Sequence, residues 1–385
     1  MQRRDFIRLV GGGLLVGANL GQAGCTTVSN PATEAWLGPP ASQDNRLRWL
    51  GYALLAPSPH NLQPWLVDMR QHADALTLFV DRQRLLPATD PHSRQIVIGH
   101  GTFIEQLVMA AGADGFATEV TLFPEGEFCA TNVDERPLAT LTFRHSEQML
   151  NDPLFAAILL RRTNRLPFDM QRPVPRDKLD TIVSAAQRPS IAVGATLEAA
   201  QISVLRGRAA AAWMVEQQTD TAVMETLRLL RVGQQEIETH RDGLTVTGFV
   251  PEVAAAMGLF RRDVVPAPGS MVSERMRDSV VPLANSAMGW VWLVTRGNSR
   301  RQQVEAGRAY VRAQLAATQC GIALHPMSQA LQEYPQMREQ FIGLHHDLAI
   351  DPQTETIQML ARIGYAQITP PTPRRKVSDL IRGAT

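Results

Sequence analysis

The spacing of apolar residues changes period several times along the chain, and each change marks an element. Arg46 to Ala56 reads as a helix that stops at a proline loop, Pro57-Ser58-Pro59-His60-Asn61-Leu62-Gln63-Pro64-Trp65. Proline fixes φ and removes a donor, so this loop belongs at a helix end and not inside a helix or a central strand. Leu66-Val67-Asp68-Met69 and Leu76-Thr77-Leu78-Phe79-Val80 read as short strands around a turn at Gln71–Asp74. From Thr102 to Gly115, Ile104, Leu107, Val108 and Ala111 recur at one-face helical spacing, with Gly115 as the C-terminal stop. Strands follow at Thr118–Phe123 and Leu138–Phe143.

The second part of the chain repeats this design. Gly307 to Gly321 matches Gly101 to Gly115 in length and in its terminal glycines, and Ala316-Ala317 falls on the register of Ala110-Ala111. Pro189-Ser190 ends a helix (Lys178 to Gln187) as Pro57-Ser58 does, but without the Asn, Gln and Trp. The pattern reads as a decayed internal duplication. Arg206 to Ser286 has no counterpart in the first part. It opens as a helix, Ala209 to Val232, turns loop-rich, and is either a lid or a packing arm whose apolar contacts are Trp213, Phe249, Met257 and Phe260. Trp290, Trp292 and Val294 begin the strand that returns to the repeated core.

Composition narrows the picture. A chain of 385 residues, 44% hydrophobic and 19% charged, buries a substantial core and forms two domains or one large composite. A formal net charge of +1 gives no general attraction for nucleic acid. No run approaches the roughly 18 consecutive apolar residues of a membrane span. Residues 1–25 read as a targeting segment: Gln2-Arg3-Arg4-Asp5-Phe6-Ile7-Arg8-Leu9, then a glycine-diluted apolar run to Leu20, resembles a twin-arginine export signal. Loss of residues 1–24 removes three arginines and one aspartate and takes the charge from +1 to −1. Gly24-Cys25 has lipoprotein spacing but Gln22 stands where leucine is usual, so a lipid anchor at Cys25 stays open. Residues 26–45, rich in Pro, Ser, Thr, Asn and Ala, read as a flexible tether. Cys129 and Cys320 either pair in an oxidising compartment or are buried singly, and no zinc spacing is present.

Three polar clusters remain. The proline loop concentrates fixed polarity in a segment of the kind that holds ligands. Arg161-Arg162-Thr163-Asn164-Arg165-Leu166-Pro167-Phe168 offers guanidinium forks and a hydroxyl suited to a phosphate, though an arginine pair also describes a solvated helix end. Pro370-Pro371-Thr372-Pro373-Arg374-Arg375-Lys376 is a basic, proline-rich tail. Taken together, the PS-x-x-N-x-QPW loop, the RR-T-x-R segment and the terminal RIGYA…PRR stretch resemble the nitroreductase family of flavoproteins. Their order resembles its Acg-like branch, in which one chain is similar to a fused, diverged dimer. The resemblance covers roughly residues 46–385.

It implies an α+β fold with a first half at 46–150 and a second at 151–385, the insertion at about 206–286, and one FMN at the seam. By position, Arg161, Thr163 and Arg165 would hold the phosphate, with Arg375 and Arg374 reaching from the tail and Arg162 between matching positions. Ser58, Asn61 and Gln63 would bond ribityl or ring-edge atoms, since amides match a ring edge that alternates donors and acceptors. Pro326-Met327-Ser328-Gln329 would wrap backbone around the ring. Many family members carry an acidic residue and a glycine near Ser328 and Gln329, and their absence here supports flavin binding better than reduction by NAD(P)H. Trp65 reads as a packing anchor. No catalytic side chain is assigned, His60 included, because the cofactor carries the chemistry. The function implied is an exported, periplasmic or envelope FMN-dependent oxidoreductase. It would pass electrons from NAD(P)H or a redox partner to a small acceptor such as a quinone or nitroaromatic. The alternatives are a flavin-sequestering protein with little turnover and an envelope-tethered binding protein without flavin.

Overall fold

The computed structural model describes residues 30–39, 41–148, 151–257 and 261–383. The proposed export segment, with Cys25, lies outside them. Two antiparallel four-stranded sheets frame the molecule. The first contains β1 (Trp65–Asp68), β2 (Ala75–Val80), β3 (Phe116–Leu122) and β4 (Ala139–His145), in the order β1-β2-β4-β3. A parallel pair, β6 (Leu230–Val232) and β7 (Leu244–Val246), belongs to the insertion. The second sheet contains β5 (Ala192–Thr196), β8 (Gly289–Arg296), β9 (Ala323–Pro326) and β10 (Glu355–Gly364), in the order β5-β8-β10-β9. Counting each sheet's strands along the chain gives one order for both, first-second-fourth-third. Each sheet also carries a 20-residue helix between its second and third strands, Arg94–Ala113 and Arg300–Gln319.

These two helices pack against each other at the centre, where glycine is required on both sides. A Cβ at Gly101 would overlap the carbonyl oxygen of Val304, and one at Gly307 the carbonyl oxygen of Ile98. Around the crossing, Val97, Phe103 and Leu107 from one helix and Val304, Val311 and Leu315 from the other join sheet residues Leu78, Leu141, Leu293 and Ala361 in one continuous core. The halves therefore share a core; neither closes its own. A buried ionic cluster crosses the same seam. Glu105 accepts from Arg308 at 2.7 Å and from Arg312 at 2.9 Å, and Arg312 also reaches Asp152 at 2.7 Å.

Several expectations change. The 26–45 tether is not free where it is described. Pro31–Leu37 forms a 3-10 helix capped by Asn30, and Trp36 is buried. The single helix expected at Ala209–Val232 is broken at Thr219 into Ala199–Gln218 and Asp220–Arg228, because a β-branched residue in extended backbone interrupts it. The rest of the insertion is more regular than its glycines and prolines suggested, with helices Gly233–His240, Phe249–Ala256 and Met271–Asp278 around a small core of Val223, Leu227, Leu230, Val232, Val246 and Met276. Cys129 and Cys320 are free thiols, and Cys129 is exposed rather than buried. The Arg94–Ala113 helix is long and apolar enough to cross a membrane by length and composition, yet it forms the buried centre of the core.

Candidate functional site

The proline loop leaves the Asn45–Ala53 helix in a strained path. His60, Asn61 and Gln63 have φ of 47°, 56° and 53°, the left-handed region that non-glycine residues seldom adopt. Local bonds hold it there. Ser58 Oγ accepts from Gln63 N at 3.0 Å, and Thr102 Oγ1 donates to Pro57 O at 2.7 Å. Trp65, wholly buried, stacks on Phe103 with 4.9 Å between centroids and donates to Gly99 O, the packing anchor expected. The loop amides serve the C-terminal tail. Asn61 Oδ1 accepts from Arg374 at 2.7 Å, and Gln63 Oε1 accepts from Arg375 N at 2.8 Å.

The arginine segment is fixed by the strand that carries RIGYA. Arg362 of β10 lies over the Phe168 ring at 3.8 Å and donates to Leu166 O at 2.7 Å, while Asn164 Nδ2 donates to Gln367 O at 2.7 Å. A Cβ at Gly364 would stand 2.5 Å from Phe168, so the motif glycine is what admits the ring. This clamp turns Arg161–Arg165 into a cavity of about 410 Å³ between the two halves, within the roughly 300–1,000 Å³ common for small-molecule sites.

Of the residues expected from the sequence, Ser58, Asn61, Arg161, Arg162, Thr163, Arg165, Pro326, Ser328 and Arg374 line this one cavity. Three do not. Gln63 is wholly buried and binds the tail and Arg241 O. Arg375 turns away to Gln63 O at 2.9 Å and to Asp379 O, 3.7 Å from the Asp81 carboxylate. Met327 packs into the second half's core among Trp290, Leu331 and Leu360.

The electrostatics are lopsided. Arg161, Arg162, Arg165 and Arg374 face the cavity, and none has a carboxylate within 4.0 Å among the described residues. Arg161 donates to Leu55 O at 2.8 Å and Gln314 Oε1 at 3.2 Å; Arg374 donates to Asn61, Thr372 and Pro373. Arg165 makes no hydrogen bond or ion pair with a described residue. It is an exposed side chain that faces the cavity. Burial lowers the pKa of all four. Arg161 falls to about 10, and Arg374 falls well below its ordinary value with Arg161 and Arg162 adding to the effect. Several buried polar atoms here have no partner: the Nε atoms of Arg161, Arg162 and Arg374, the Tyr310 hydroxyl and His60 Nδ1. His60 is held neutral, its pKa lowered to about 4 by burial and by Arg165.

Trp36 was not anticipated. Its indole stacks against Arg162 at 4.2 Å, Arg374 at 4.8 Å and Arg161 at 5.3 Å, and donates to Thr372 O at 2.8 Å. A lone tryptophan in an otherwise small, polar segment was the available signal. The insertion contributes Gly243, Leu244, Thr245 and Thr247 to the wall. Gln63 Nε2 donates to Arg241 O at 2.9 Å, and Asp242 is gripped by Arg84 and Arg231.

No family model matches the chain. It is 28% identical over 342 residues to a Mycobacterium tuberculosis protein provisionally named as an NAD(P)H nitroreductase, covering 86% of this chain and 89% of that one. An uncharacterised protein of the same organism is 34% identical over 161 residues, 38% of this chain, and the match spans 45% of that relative's length. The provisionally named NAD(P)H nitroreductase acg, again from M. tuberculosis, is 36% identical over 118 residues, 30% of this chain and 33% of its own. Solved structures with some likeness include the FMN-dependent nitroreductase NfnB from Mycobacterium smegmatis in complex with NADPH (18% identity, TM-score 0.36, 59% of this chain and 95% of that one). Another is a nitroreductase with bound FMN from Bacteroides fragilis (15% identity, TM-score 0.33, 58% and 96%). Sequence similarity to proteins carrying nitroreductase names thus extends over most of the chain.

Proposed function

We propose that this protein is an FMN-dependent oxidoreductase of nitroreductase type that transfers electrons from a nicotinamide donor to a small oxidised acceptor, a quinone or nitroaromatic. The observation that carries the reading is the set of four cavity-facing guanidiniums without a carboxylate. Arg161 and Arg374 are buried without an anionic partner, which is unfavourable, and a phosphate dianion supplies the charge and the acceptors that the four guanidiniums lack. The residues present therefore fit the phosphate end of FMN. Arg161, Arg162, Arg165 and Arg374 would hold it, with Thr163 beside them. Ser58, Pro326, Ser328 and Tyr310 stand along the rest of the wall, while Asn61, Gln63 and Arg375 keep the tail in place. When bound, FMN supplies hydride and single-electron transfer. The chain's own work is to bind, orient and exclude water.

A second reading, flavin sequestration with little turnover, is favoured by the docked insertion turn and by Ser328-Gln329 in place of an acid and a glycine. Purification followed by FMN titration tests the shared part. Protein that stays colourless and takes up no FMN would end both readings. Anaerobic NADH or NADPH then separates them, because bleaching supports the reductase and its absence supports sequestration. Two further parts of the proposal have their own support. Matching strand orders and the paired glycines support descent from a duplication. The Arg3-Arg4 segment supports export by the twin-arginine route, tested by fractionating cells that carry Arg3→Lys/Arg4→Lys; unchanged periplasmic yield would count against it.

A further inference from the structure

Away from the arginines, the insertion reaches behind the cavity wall with two carboxylates, and each grips one polar wall residue. Glu216, 2% exposed in the Ala199–Gln218 helix, accepts from Gln332 Nε2 at 3.0 Å. Glu225, in the Asp220–Arg228 helix, accepts from Thr89 Oγ1 at 2.6 Å and from the backbone N–H groups of Ala88 and Thr89 at 2.9 Å. Thr89 comes from the first half and Gln332 from the second, and both line the cavity. Neither glutamate forms an ion pair with a described residue.

An ionised carboxylate only accepts hydrogen bonds, so it dictates how its partners face. It draws the Gln332 Nε2 toward itself, which leaves Oε1 as the free end of a side chain that lines the cavity; that oxygen is buried and has no partner, and the residue is 6% exposed. It likewise takes the Thr89 hydroxyl proton, so that residue's free capacity is its lone pairs. Gln329 Oε1 lies buried and unpartnered on the same wall. Gln332 Oε1 and Gln329 Oε1 are thus two acceptors in wall residues that lack a partner among the described residues. The groups facing Glu216 are Gln332, Gln329, the Glu225 charge and the Tyr334 hydroxyl.

We propose that this wall is an acceptor-lined subsite that selects a neutral ring substrate bearing O–H or N–H donors and rejects a carboxylated ring of the same size. The inference rests on the reading above, in which the phosphate of FMN occupies the arginines. A donor on the substrate satisfies oxygens that otherwise stay dry and unpaired. A carboxylate brings only more lone pairs and a like charge toward Glu216 and Glu225. Sites built to bond a substrate hydroxyl discriminate strongly against an analogue that lacks it. Glu216 is a positioning residue, acting through Gln332: in Glu216→Gln the new amide both donates and accepts, so it no longer dictates which end of the Gln332 amide it binds.

The test compares 4-nitrobenzyl alcohol with 4-nitrobenzoate on the FMN-loaded full chain at about pH 8, above the value near 7 to which burial raises the Glu216 carboxyl. Binding is read by flavin absorbance and by calorimetry, without turnover. The alcohol is expected to bind at least about tenfold more tightly to the wild type. In Glu216→Gln and independently in Gln332→Leu, the ratio is expected to fall to about threefold or less while FMN affinity stays unchanged. Equal or tighter binding of the benzoate to wild type, or a ratio that survives both substitutions, overturns the subsite. A wild type that takes up no FMN overturns the cofactor reading and this inference with it; FMN uptake without discrimination overturns the subsite alone.

Discussion

Arg165 gives the sharpest test of the phosphate site, because nothing else in the described structure uses it. Arg161 and Arg374 also hold backbone carbonyls, so their removal would confound ligand binding with folding. Arg165 makes no such bond, is exposed and faces the cavity. Arg165→Ala should therefore leave the ligand-free protein about as stable as before, since it deletes an exposed side chain that makes no hydrogen bond or ion pair with a described residue. The effect appears with FMN. One hydrogen bond between charged groups is lost, about 1.5–3 kcal/mol, which is roughly 10- to 150-fold in Kd. The Arg165 charge also helps to lower the pKa of His60, so the variant's imidazole should titrate closer to its ordinary range. Arg165→Lys keeps the charge without the fork and should recover part of the affinity. Urea melts of ligand-free protein, FMN titration by fluorescence quenching and histidine NMR read the three quantities separately. Unchanged FMN affinity, or a clear loss of ligand-free stability, would show that Arg165 is a structural side chain and that the phosphate lies elsewhere.

Trp36→Ala should weaken FMN binding as well as stability, since the indole holds Arg162 and Arg374 in place; a buried cation–π contact is worth up to about 2 kcal/mol, and the variant's FMN titration checks it. Gly307→Ala forces a methyl onto the Ile98 carbonyl oxygen where the two central helices cross. The expected loss is about 1–3 kcal/mol in urea melts, or more, because backbone on both sides must move. Glu216 has a folded pKa raised to about 7 from 4.5 by burial. The folded state therefore keeps its proton longer than the unfolded chain, and the associated stability, present below about pH 4.5, is lost as pH rises through 7. Glu216→Gln does not titrate, so its stability relative to wild type should climb between about pH 5 and 8, by up to about 3 kcal/mol; a flat difference across that range would mean that Glu216 is not desolvated.

The parts of this architecture legible from sequence were those with a local cause. Strand and helix periods placed β1, β2, β3 and β4 within a few residues, and the repeated glycines located the two central helices, although Gly101 and Gly307, read as their starts, lie seven residues inside Arg94–Ala113 and Arg300–Gln319. What they did not reveal was the reason for Gly101 and Gly307, which lies in a backbone 200 residues away. The arginine segment was recognisable as a phosphate-type cluster, but Arg162 and Arg374 owe their orientation to Trp36, whose composition-poor neighbourhood read as a tether. Asn61 and Gln63 were chosen as ring contacts because amides can match a ring edge, whereas their amides are committed to Arg374, Arg375 and Arg241. Residue type fixed what these side chains could bond; long-range topology decided what they do bond. Glu216 and Glu225 carried no signal at all, since a glutamate on a helix is ordinarily solvated, and only the docked insertion buries Glu216 and half-buries Glu225.

The same commitments explain how a nearly symmetric frame builds this cavity from unlike parts. In the first half, three left-handed residues carry the proline loop outward, where its amides fasten the tail across Arg161. In the second half, the corresponding Pro189-Ser190 is a tight turn closed by Arg188 and Ile191, with Ile191 N donating to Arg188 O at 3.0 Å before β5 begins. It has no side chain able to hold a second tail. The arginines come from the second half, the loop from the first, and the acceptor wall from Thr89 of the first and Gln329 and Gln332 of the second, with Thr89 and Gln332 held by the insertion. No half contains a complete site, so a substitution that parts the central helices should empty the cavity before it melts either sheet. Gly307→Ala is thus expected to lose FMN affinity at temperatures where far-ultraviolet circular dichroism is still native, and parallel loss of both signals would argue that the seam and the sheets unfold as one unit.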